Sequence, residues 1–160
     1  MDPVPAGENL NRRAMYHFIV EHPGLNLQEL ADAVGIQRTA ALYHVRRMVR
    51  EAVVVTQRHG PHLLHFPSAM PREQRTALSL LRVPSVRAVA LALHHDPGLS
   101  HGALAAKLDT TVRTVRRAMR TLQSNGLLRI EEASQGSGRI AHLHPELRLL
   151  LVRWQPGPPR

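Results

Sequence analysis

Arginine is concentrated in two segments of the chain whose apolar residues recur at helical spacing. The segments cover residues 38–51 and 111–124, and their arginines are Arg38, Arg46, Arg47, Arg50, Arg113, Arg116, Arg117 and Arg120. A guanidinium carries a permanent positive charge and a planar fork of donors, which suits contacts to phosphate and to the edge of guanine. Each segment therefore predicts an amphipathic helix whose basic face binds an anion; the ordinary alternative is that the arginines only keep the helix soluble.

The charge of the whole chain favours a polyanionic partner. With 21 basic and 12 acidic residues the net charge is +9, and 20 of the basic residues are arginine. Such an excess indicates nucleic acid or an anionic membrane surface as the partner. The absence of cysteine excludes disulfides, thiolate metal ligands and cysteine nucleophiles.

The sequence predicts a soluble cytoplasmic protein. No apolar run approaches the roughly 18 residues of a membrane-spanning helix. The N-terminal stretch MDPVPAGENLNRR has neither the basic start nor the apolar core of a signal peptide. A chain of 160 residues with 43% hydrophobic residues forms either one domain or two small ones.

An internal repeat favours two small domains. When residues 13–55 are aligned with residues 87–129, a shift of 74 without gaps, EHPGLNLQELADAVG falls on HDPGLSHGALAAKLD. The aligned segments share eight identities, and apolar residues also coincide. These apolar pairs include Ile19 with Leu93, Val34 with Leu108, Ala41 with Val115, Val45 with Met119, Met48 with Leu122, and Val53 with Leu127. The same core pattern is used twice.

Both copies predict the same order of elements. Helix 1 spans about 11–21 in the first copy and about 85–95 in the second, and Pro-Gly ends it in both. A short helix 2 follows, in QELADAV and in GALAAKL. Asn26 and Ser100 are the N-caps predicted for these two short helices. A tight turn, GIQ or DTT, leads to helix 3 at about 38–51 and 111–124. A hairpin follows in each copy. In the first copy the strands AVVVTQ and LLHFP flank the loop RHGPH, and in the second the strands GLLRIEE and RIAHLHP flank the loop ASQGSG.

These elements predict a mainly α fold with small β-hairpins (α+β), built from two tandem domains. We expect a first domain at 8–67, a helical linker at 68–84, a second domain with a C-terminal helix at 85–154, and a disordered tail at 155–160. The linker helix, about 71–83, and the C-terminal helix, about 145–154, are apolar. Each completes its own domain, packs the two domains together or forms a homodimer interface.

Three helices with a tight turn between the second and third, followed by a hairpin, are the order of a winged helix-turn-helix. RTAALYHVRRMVREAVVV resembles the third helix and first wing strand of transcription regulators of the ArsR and MarR type. TTVRTVRRAMRTLQSNGLLRI is similar as well, and its Asn125-Gly126 matches the turn that ends this helix in the family; the first copy departs from it with Glu51-Ala52. The resemblance covers nearly the whole chain and implies two DNA recognition helices.

Helical periodicity divides the third helices into buried and outward faces. In the first copy it buries Ala41, Val45, Met48 and Val49, with Leu42 at the margin; in the second it buries Val112, Val115, Met119 and Leu122. The candidates for base contacts are Gln37, Arg38, Thr39, Tyr43, Thr111, Arg113, Thr114 and Arg117. The candidates for phosphate contacts are Arg46, Arg47, Arg50 and Arg120, and Arg116 lies partly outside.

The hairpin loops and histidines add weaker candidates. Arg58 and Arg139 are placed to approach the minor groove or its phosphates, although they are equally ordinary as loop charges. The histidines that could suggest a metal site are His59, His62 and His65 near the first loop and His142 and His144 on one strand. The first set alternates strand faces and neither set has a nearby carboxylate, so we expect surface histidines that gain charge in mild acid and no metal site.

The sequence therefore predicts a DNA-binding transcription regulator with two recognition helices, no catalytic activity and no cofactor. It has no phosphate-binding Gly-rich loop, nucleophile motif or carboxylate pair suited to acid–base chemistry. Such a regulator would be cytoplasmic and associated with the nucleoid. Two alternatives remain: a tandem winged-helix scaffold for protein interactions, which the basic charge disfavours, and a sequence-independent chromosome-architecture protein, which Gln37, Thr39 and Tyr43 disfavour.

Overall fold

The computed structural model describes residues 6–132 and 139–153, with the side chains of residues 10–132 and 140–153. These residues form two units, the first ending at Arg75 and the second beginning at Thr76. The division falls within the segment 68–84 that the sequence assigns to a linker. The predicted tail at 155–160 and most of the second hairpin loop, residues 133–138, lie outside the described residues.

The first unit consists of three helices followed by a hairpin. Its elements are α1 (Ala6–Glu21), β1 (Leu25–Asn26), α2 (Leu27–Val34), α3 (Arg38–Arg50), β2 (Val54–His59) and β3 (His62–Pro67). The three strands form one antiparallel sheet of order β1-β3-β2. β1 was not predicted from the sequence, because a strand of two residues is too short to show an alternating pattern.

The second unit repeats this order of helices and hairpin. α4 (Arg72–Leu81) crosses the division between the units, and the elements after it are α5 (Pro84–His95), α6 (His101–Lys107), α7 (Val112–Ser124), β4 (Leu128–Glu132), β5 (Arg139–Leu143) and α8 (Pro145–Arg153). β4 and β5 pair antiparallel as a two-stranded sheet. The helices at the predicted linker and at the predicted C-terminal segment are thus both present.

Local sequence explains where the second helix of each unit begins. The Asn26 side chain accepts hydrogen bonds from the backbone N–H groups of Gln28 and Glu29, and the Asn26 N–H donates to the Glu29 carboxylate at 2.8 Å. This reciprocal arrangement is a capping box. In the second unit Ser100 Oγ accepts from the Ala103 N–H at 3.1 Å. Both predicted N-caps are confirmed.

Each unit has its own apolar core, and its third helix supplies part of it. The buried core of the first unit includes Met15, Ile19, Leu25, Leu30, Ala31, Ala41, Val45, Met48 and Val54. In the second unit the core includes Val115, Ala118, Met119 and Leu122 of α7 together with Ala77, Leu80 and Leu81 of α4. Completing a domain is therefore the predicted role of the linker helix that these buried side chains support.

Within the described residues, no single helix is both long and apolar enough to cross a membrane. α4 and α5 reach the necessary length and composition only as a pair, and they are bent by 106° relative to each other. Buried apolar side chains of both helices belong to the core of the second unit.

The ends of α1 and of the hairpin strands in the first unit differ from the sequence prediction. α1 begins at Ala6 rather than near residue 11. β2 and β3 pair as far as His59 opposite His62, which leaves a turn of only Gly60-Pro61. Arg58 therefore lies in a strand and not in a loop, because the hairpin ladder continues up to residues that Gly and Pro had suggested were irregular.

Residues at the helix ends have left-handed backbone conformations in both units. Gly35 and Asp109, which are aligned in the repeat, both have positive φ, 72° and 48°. Ala52 and Gly126, also aligned, have φ of 55° and 70° at the ends of α3 and α7. A Cβ makes this conformation unfavourable, most of all for residues other than Gly, Asn and Asp. Ala52 is therefore strained at the position where the second unit has a glycine.

We expect Ala52→Gly to raise the free energy of unfolding of the first unit by about 0.5–1 kcal/mol, because the lost strain exceeds the added freedom of the unfolded chain. The matched change Gly126→Ala should destabilise the second unit by a similar amount. Urea unfolding of both variants measures the two effects. A destabilising Ala52→Gly would contradict the left-handed assignment at this residue.

Candidate nucleic-acid interface

The outward face of α3 is exposed along the length of the helix. Ala41, Val45 and Met48 are buried on the opposite side. The exposed residues are Arg38, Thr39, Tyr43, Arg46, Val49 and Arg50, and Gln37 just before the helix is exposed as well. The predicted contact residues of this helix thus lie on one accessible face, except for Arg47, which is partly buried.

The buried arc of α3 differs from the prediction at two positions. Val49 was expected in the core, but it is 39% exposed, whereas His44 is only 3% exposed. One residue advances an α-helix by about 100°, so positions 44 and 49 lie equally far outside the arc defined by Ala41, Val45 and Met48, on opposite sides of it. Helical periodicity therefore does not distinguish them, and hydropathy favoured the valine. Tertiary packing buries the imidazole instead.

The outward face of α7 is more uniformly basic than that of α3. Arg113, Arg116, Arg117 and Arg120 are all exposed, as predicted. Among the residues that the structure describes, none of these four has an acidic partner within ion-pair distance. No described carboxylate therefore compensates their positive charge at close range.

Arg47 differs from the other arginines of α3. Its Nε donates to Glu51 Oε1 at 3.0 Å, and Arg12 Nη1 lies 3.4 Å from the same oxygen. Hydrogen bonding to Glu51, and to a smaller extent to Tyr43, raises the pKa of Arg47. The charge of Arg47 is thus partly compensated within the protein, whereas Arg38, Arg46 and Arg50 have no acidic partner among the described residues.

Two of the predicted base-contacting residues lie at the start of α7. Thr111 Oγ1 accepts a hydrogen bond from the Thr114 N–H at 3.1 Å, and the two hydroxyl oxygens are 3.0 Å apart. Thr111 is the N-cap of a helix that starts at Val112, so both hydroxyls are engaged in local bonds. The aligned Gln37 forms no side-chain cap bond, which leaves its amide available to a ligand.

The hairpins contribute basic groups unequally. Arg58 is exposed on β2, close to the turn. Arg139 begins β5, but its side chain lies outside the described residues. In β4 the guanidinium of Arg129 is 2.8 Å from one carboxylate oxygen of Glu131, whose other oxygen is 3.5 Å from His142. Arg129 is therefore paired, whereas Arg58 has no acidic partner among the residues that the structure describes.

A groove of about 780 Å³ runs between α3 and the hairpin of the first unit. Arg38, Arg46 and Arg50 contribute its basic lining, while Leu42 and Leu63 contribute apolar surface. A concave surface with one sign of charge concentrates the electrostatic potential more than a flat one does. The groove therefore concentrates positive potential on this side of the first unit.

His65 also lines this groove, although it is only 2% exposed. Its Nδ1 is 2.9 Å from the carbonyl oxygen of Leu25, a bond that attaches β3 to β1. Burial lowers the pKa of His65, and the bond to Leu25 opposes this effect only in part. The expectation that the histidines near the first loop are surface groups is wrong for His65, since sequence spacing does not report tertiary burial.

Within residues 6–132 and 139–153, no three or more His, Asp or Glu side chains are grouped so that they could hold a metal ion. His59, His62 and His65 follow the strands in register, and His65 alone of the three is buried. The three side chains therefore do not converge on one point.

We expect the stability of the first unit to fall as the pH drops below about 6.5. The folded-state pKa of His65 lies below its ordinary value of 6.5, so the unfolded state binds a proton first. The contribution of neutral His65 is complete above about pH 6.5 and is lost as the pH falls toward the lowered value. Urea unfolding at several pH values measures this slope.

His65→Gln removes the titrating group, so the stability of this variant should depend less on pH over the same window. His62→Gln, a change at an exposed histidine of the same strand, is the matched control and should leave the slope unchanged. Equal slopes in the unmodified chain and in His65→Gln would contradict the assignment.

Comparison with known proteins agrees with this geometry. The sequence matches the winged helix-turn-helix DNA-binding family over residues 8–54 and 91–129, which together are more than half of the chain. The chain therefore belongs to the winged helix-turn-helix DNA-binding family. It is also 23% identical over 124 residues to an uncharacterized HTH-type transcriptional regulator of Methanocaldococcus jannaschii. The alignment covers 78% of this chain and 31% of that protein, so the chain spans about a third of its relative's length.

Proposed function

We propose that this chain is a DNA-binding transcription regulator with two tandem winged-helix domains of the ArsR/MarR-like type. In this proposal α3 and α7 enter the major groove of duplex DNA, and the hairpins contact the adjacent backbone or minor groove. One observation carries the proposal: the third helix of each unit exposes guanidinium groups that have no acidic partner among the described residues. They are Arg38, Arg46, Arg50, Arg113, Arg116, Arg117 and Arg120.

The electrostatics of this face suit a phosphate backbone. Each uncompensated guanidinium that contacts a phosphate releases a condensed counterion from DNA, so affinity falls steeply with salt. A paired arginine contributes less, because its carboxylate must be displaced or carried into the complex. The exposed Arg46 and Arg50 are therefore better phosphate contacts in this proposal than Arg47, which is bonded to Glu51.

Residues near the start of α3 are the candidates for reading bases. Gln37, Arg38 and Thr39 are exposed there, and Tyr43 follows one turn later. An amide or a guanidinium can form two hydrogen bonds with one base edge, which discriminates between base pairs. At the corresponding start of α7 the Thr111 and Thr114 side chains are bonded locally, and the Arg113 side chain is exposed.

Transcription regulation is proposed from the name of the relative, and it fits a basic chain with two helices for neighbouring half-sites. The domain limits 8–67 and 85–154 and a nucleoid location belong to the same proposal. A homodimer through α8 is supported by Leu149 and Val152, which are 59% and 74% exposed. Exposed apolar side chains of this size commonly mark contact surfaces when they are adjacent.

The double change Arg46→Ala with Arg50→Ala should weaken binding to duplex DNA of any sequence. We expect the slope of log affinity against log salt to decrease in magnitude by about 2, roughly one for each lost phosphate contact. Fluorescence anisotropy across a salt series measures this slope. Arg148→Ala, a change at an exposed arginine of α8, is the matched control and should leave the slope unchanged.

Three outcomes of this experiment oppose the proposal. Absence of binding at low salt would contradict DNA binding altogether and favour the protein-interaction scaffold. Equal losses from Arg148→Ala and the double variant would show that only net charge matters. Binding of the unmodified chain to its own upstream region no tighter than to random duplexes would favour the sequence-independent architectural protein.

A further inference from the structure

The two third helices present different chemistry at aligned positions of their outward faces. Tyr43 of α3 aligns with Arg117 of α7, and Thr39 aligns with Arg113. Arg46 of α3 aligns with Arg120 of α7, so both helices have an arginine at this position. The first face therefore combines an aromatic ring and a hydroxyl with arginine, whereas the corresponding positions of the second face are all guanidinium.

The Tyr43 ring is exposed, but its surroundings hold it in place. The residue is 45% exposed, and its ring packs edge-on against the ring of His44, with centroids 5.4 Å apart and planes at 70°. His44 itself is buried, so it offers a fixed support. One helical turn further on, Arg47 lies beside Tyr43, as residues four apart on a helix do.

Arg47 is in turn held by an acidic anchor. Its Nε is 3.0 Å from Glu51 Oε1, and Arg12 from α1 lies 3.4 Å from that same oxygen. Glu51, at the end of α3, thus contacts α1 through the guanidinium of Arg12, and it also binds the guanidinium of Arg47 on its own helix. The row Tyr43, Arg47, Glu51 follows a single i, i+4 line along the helix, and its Glu51 end is attached to α1.

The second unit lacks this support. The residues aligned with Arg47 and Glu51 are Thr121 and Asn125. Both bond to the helix backbone: Thr121 Oγ1 donates to the Arg117 carbonyl at 3.0 Å, and Asn125 Nδ2 donates to the Thr121 carbonyl at 2.8 Å. Within the described residues, no acidic side chain is left to fix the guanidinium of Arg117.

We infer that the two units divide the work: the first determines sequence preference through Tyr43, with Arg47 and Glu51 as positioning residues, and the second anchors the chain to any duplex through Arg113, Arg117 and Arg120. The inference rests on the proposed function, since it concerns the same DNA-binding faces. It goes beyond that function by assigning specificity and general affinity to different helices.

Physical differences between the side chains support this division. A fixed aromatic ring loses little conformational entropy on binding, and it can pack against a thymine methyl or bond a base edge through its hydroxyl. Unpaired guanidinium groups in a row bind phosphates through charge, which every sequence offers equally. Fixed geometry therefore favours selectivity, and unpaired charge favours general affinity.

The test uses the full chain and a pool of random-sequence duplexes from which bound DNA is enriched and sequenced. Tyr43→Ala should erase most of the enriched motif and should weaken the binding of unselected duplex less than the change at the aligned arginine does. Arg117→Ala, the matched change at the aligned position, should keep the motif but weaken all duplexes by about threefold to tenfold and lower the salt slope by about 1. The opposite pattern would overturn the inference.

Glu51→Gln tests the positioning role separately. It removes the anchor charge but keeps the size of the side chain, so the motif should weaken. The affinity for unselected duplex should not fall, because Arg47 is no longer paired with a carboxylate. Glu51→Asp should restore part of the preference. A motif that Glu51→Gln leaves intact would overturn the positioning role. Urea unfolding of each variant verifies that the folded state is retained.

Failure of the inference is distinguishable from failure of the proposed function. If the unmodified chain binds duplexes but enriches no motif, or if Tyr43→Ala leaves the motif intact, the division of roles is wrong and DNA binding stands. If the unmodified chain binds no duplex at low salt, the proposed function is wrong and the inference falls with it.

Discussion

Burial of one apolar arc on the third helix fixes what each unit presents to solvent. In the first unit the arc passes through Ala41, Val45 and Met48, and in the second through Val115 and Leu122 among others. Burying a side chain of this kind contributes about 1.5–3 kcal/mol, whereas an exposed ion pair contributes about 0–1 kcal/mol. Packing therefore decides the orientation of the helix, and the arginines occupy the face that packing leaves exposed.

This orientation keeps positive charge uncompensated at the surface. Arg46 and Arg120 recur at aligned positions, and neither has an acidic partner among the described residues. Mutual repulsion along such a face destabilises the isolated protein slightly and is relieved when an anion is bound. Membership of the winged helix-turn-helix DNA-binding family supports duplex DNA as the anion that we propose.

The order of the helices and hairpins, and the faces of the third helices apart from Val49 and His44, could be predicted from the sequence. Both depend on local periodicity and on caps such as Asn26 and Ser100. Features that depend on contacts between distant segments could not be predicted from the sequence. The pairing of β1 with β3, the burial of His65 and the contact of Arg12 with Glu51, 39 residues further on, all depend on tertiary packing. Arg47 therefore looked like a free phosphate contact in the sequence, although it is bonded to Glu51.

The claim that the exposed arginines of α3 and α7 bind duplex DNA can be tested most directly by NMR of ¹⁵N-labelled arginine side chains during titration with duplex. Signals from Arg46, Arg50, Arg117 and Arg120 should shift and lose solvent exchange as DNA is added, while that of Arg148 on α8 should stay in place. Unchanged signals from both third helices, with the chain bound to DNA, would contradict the account.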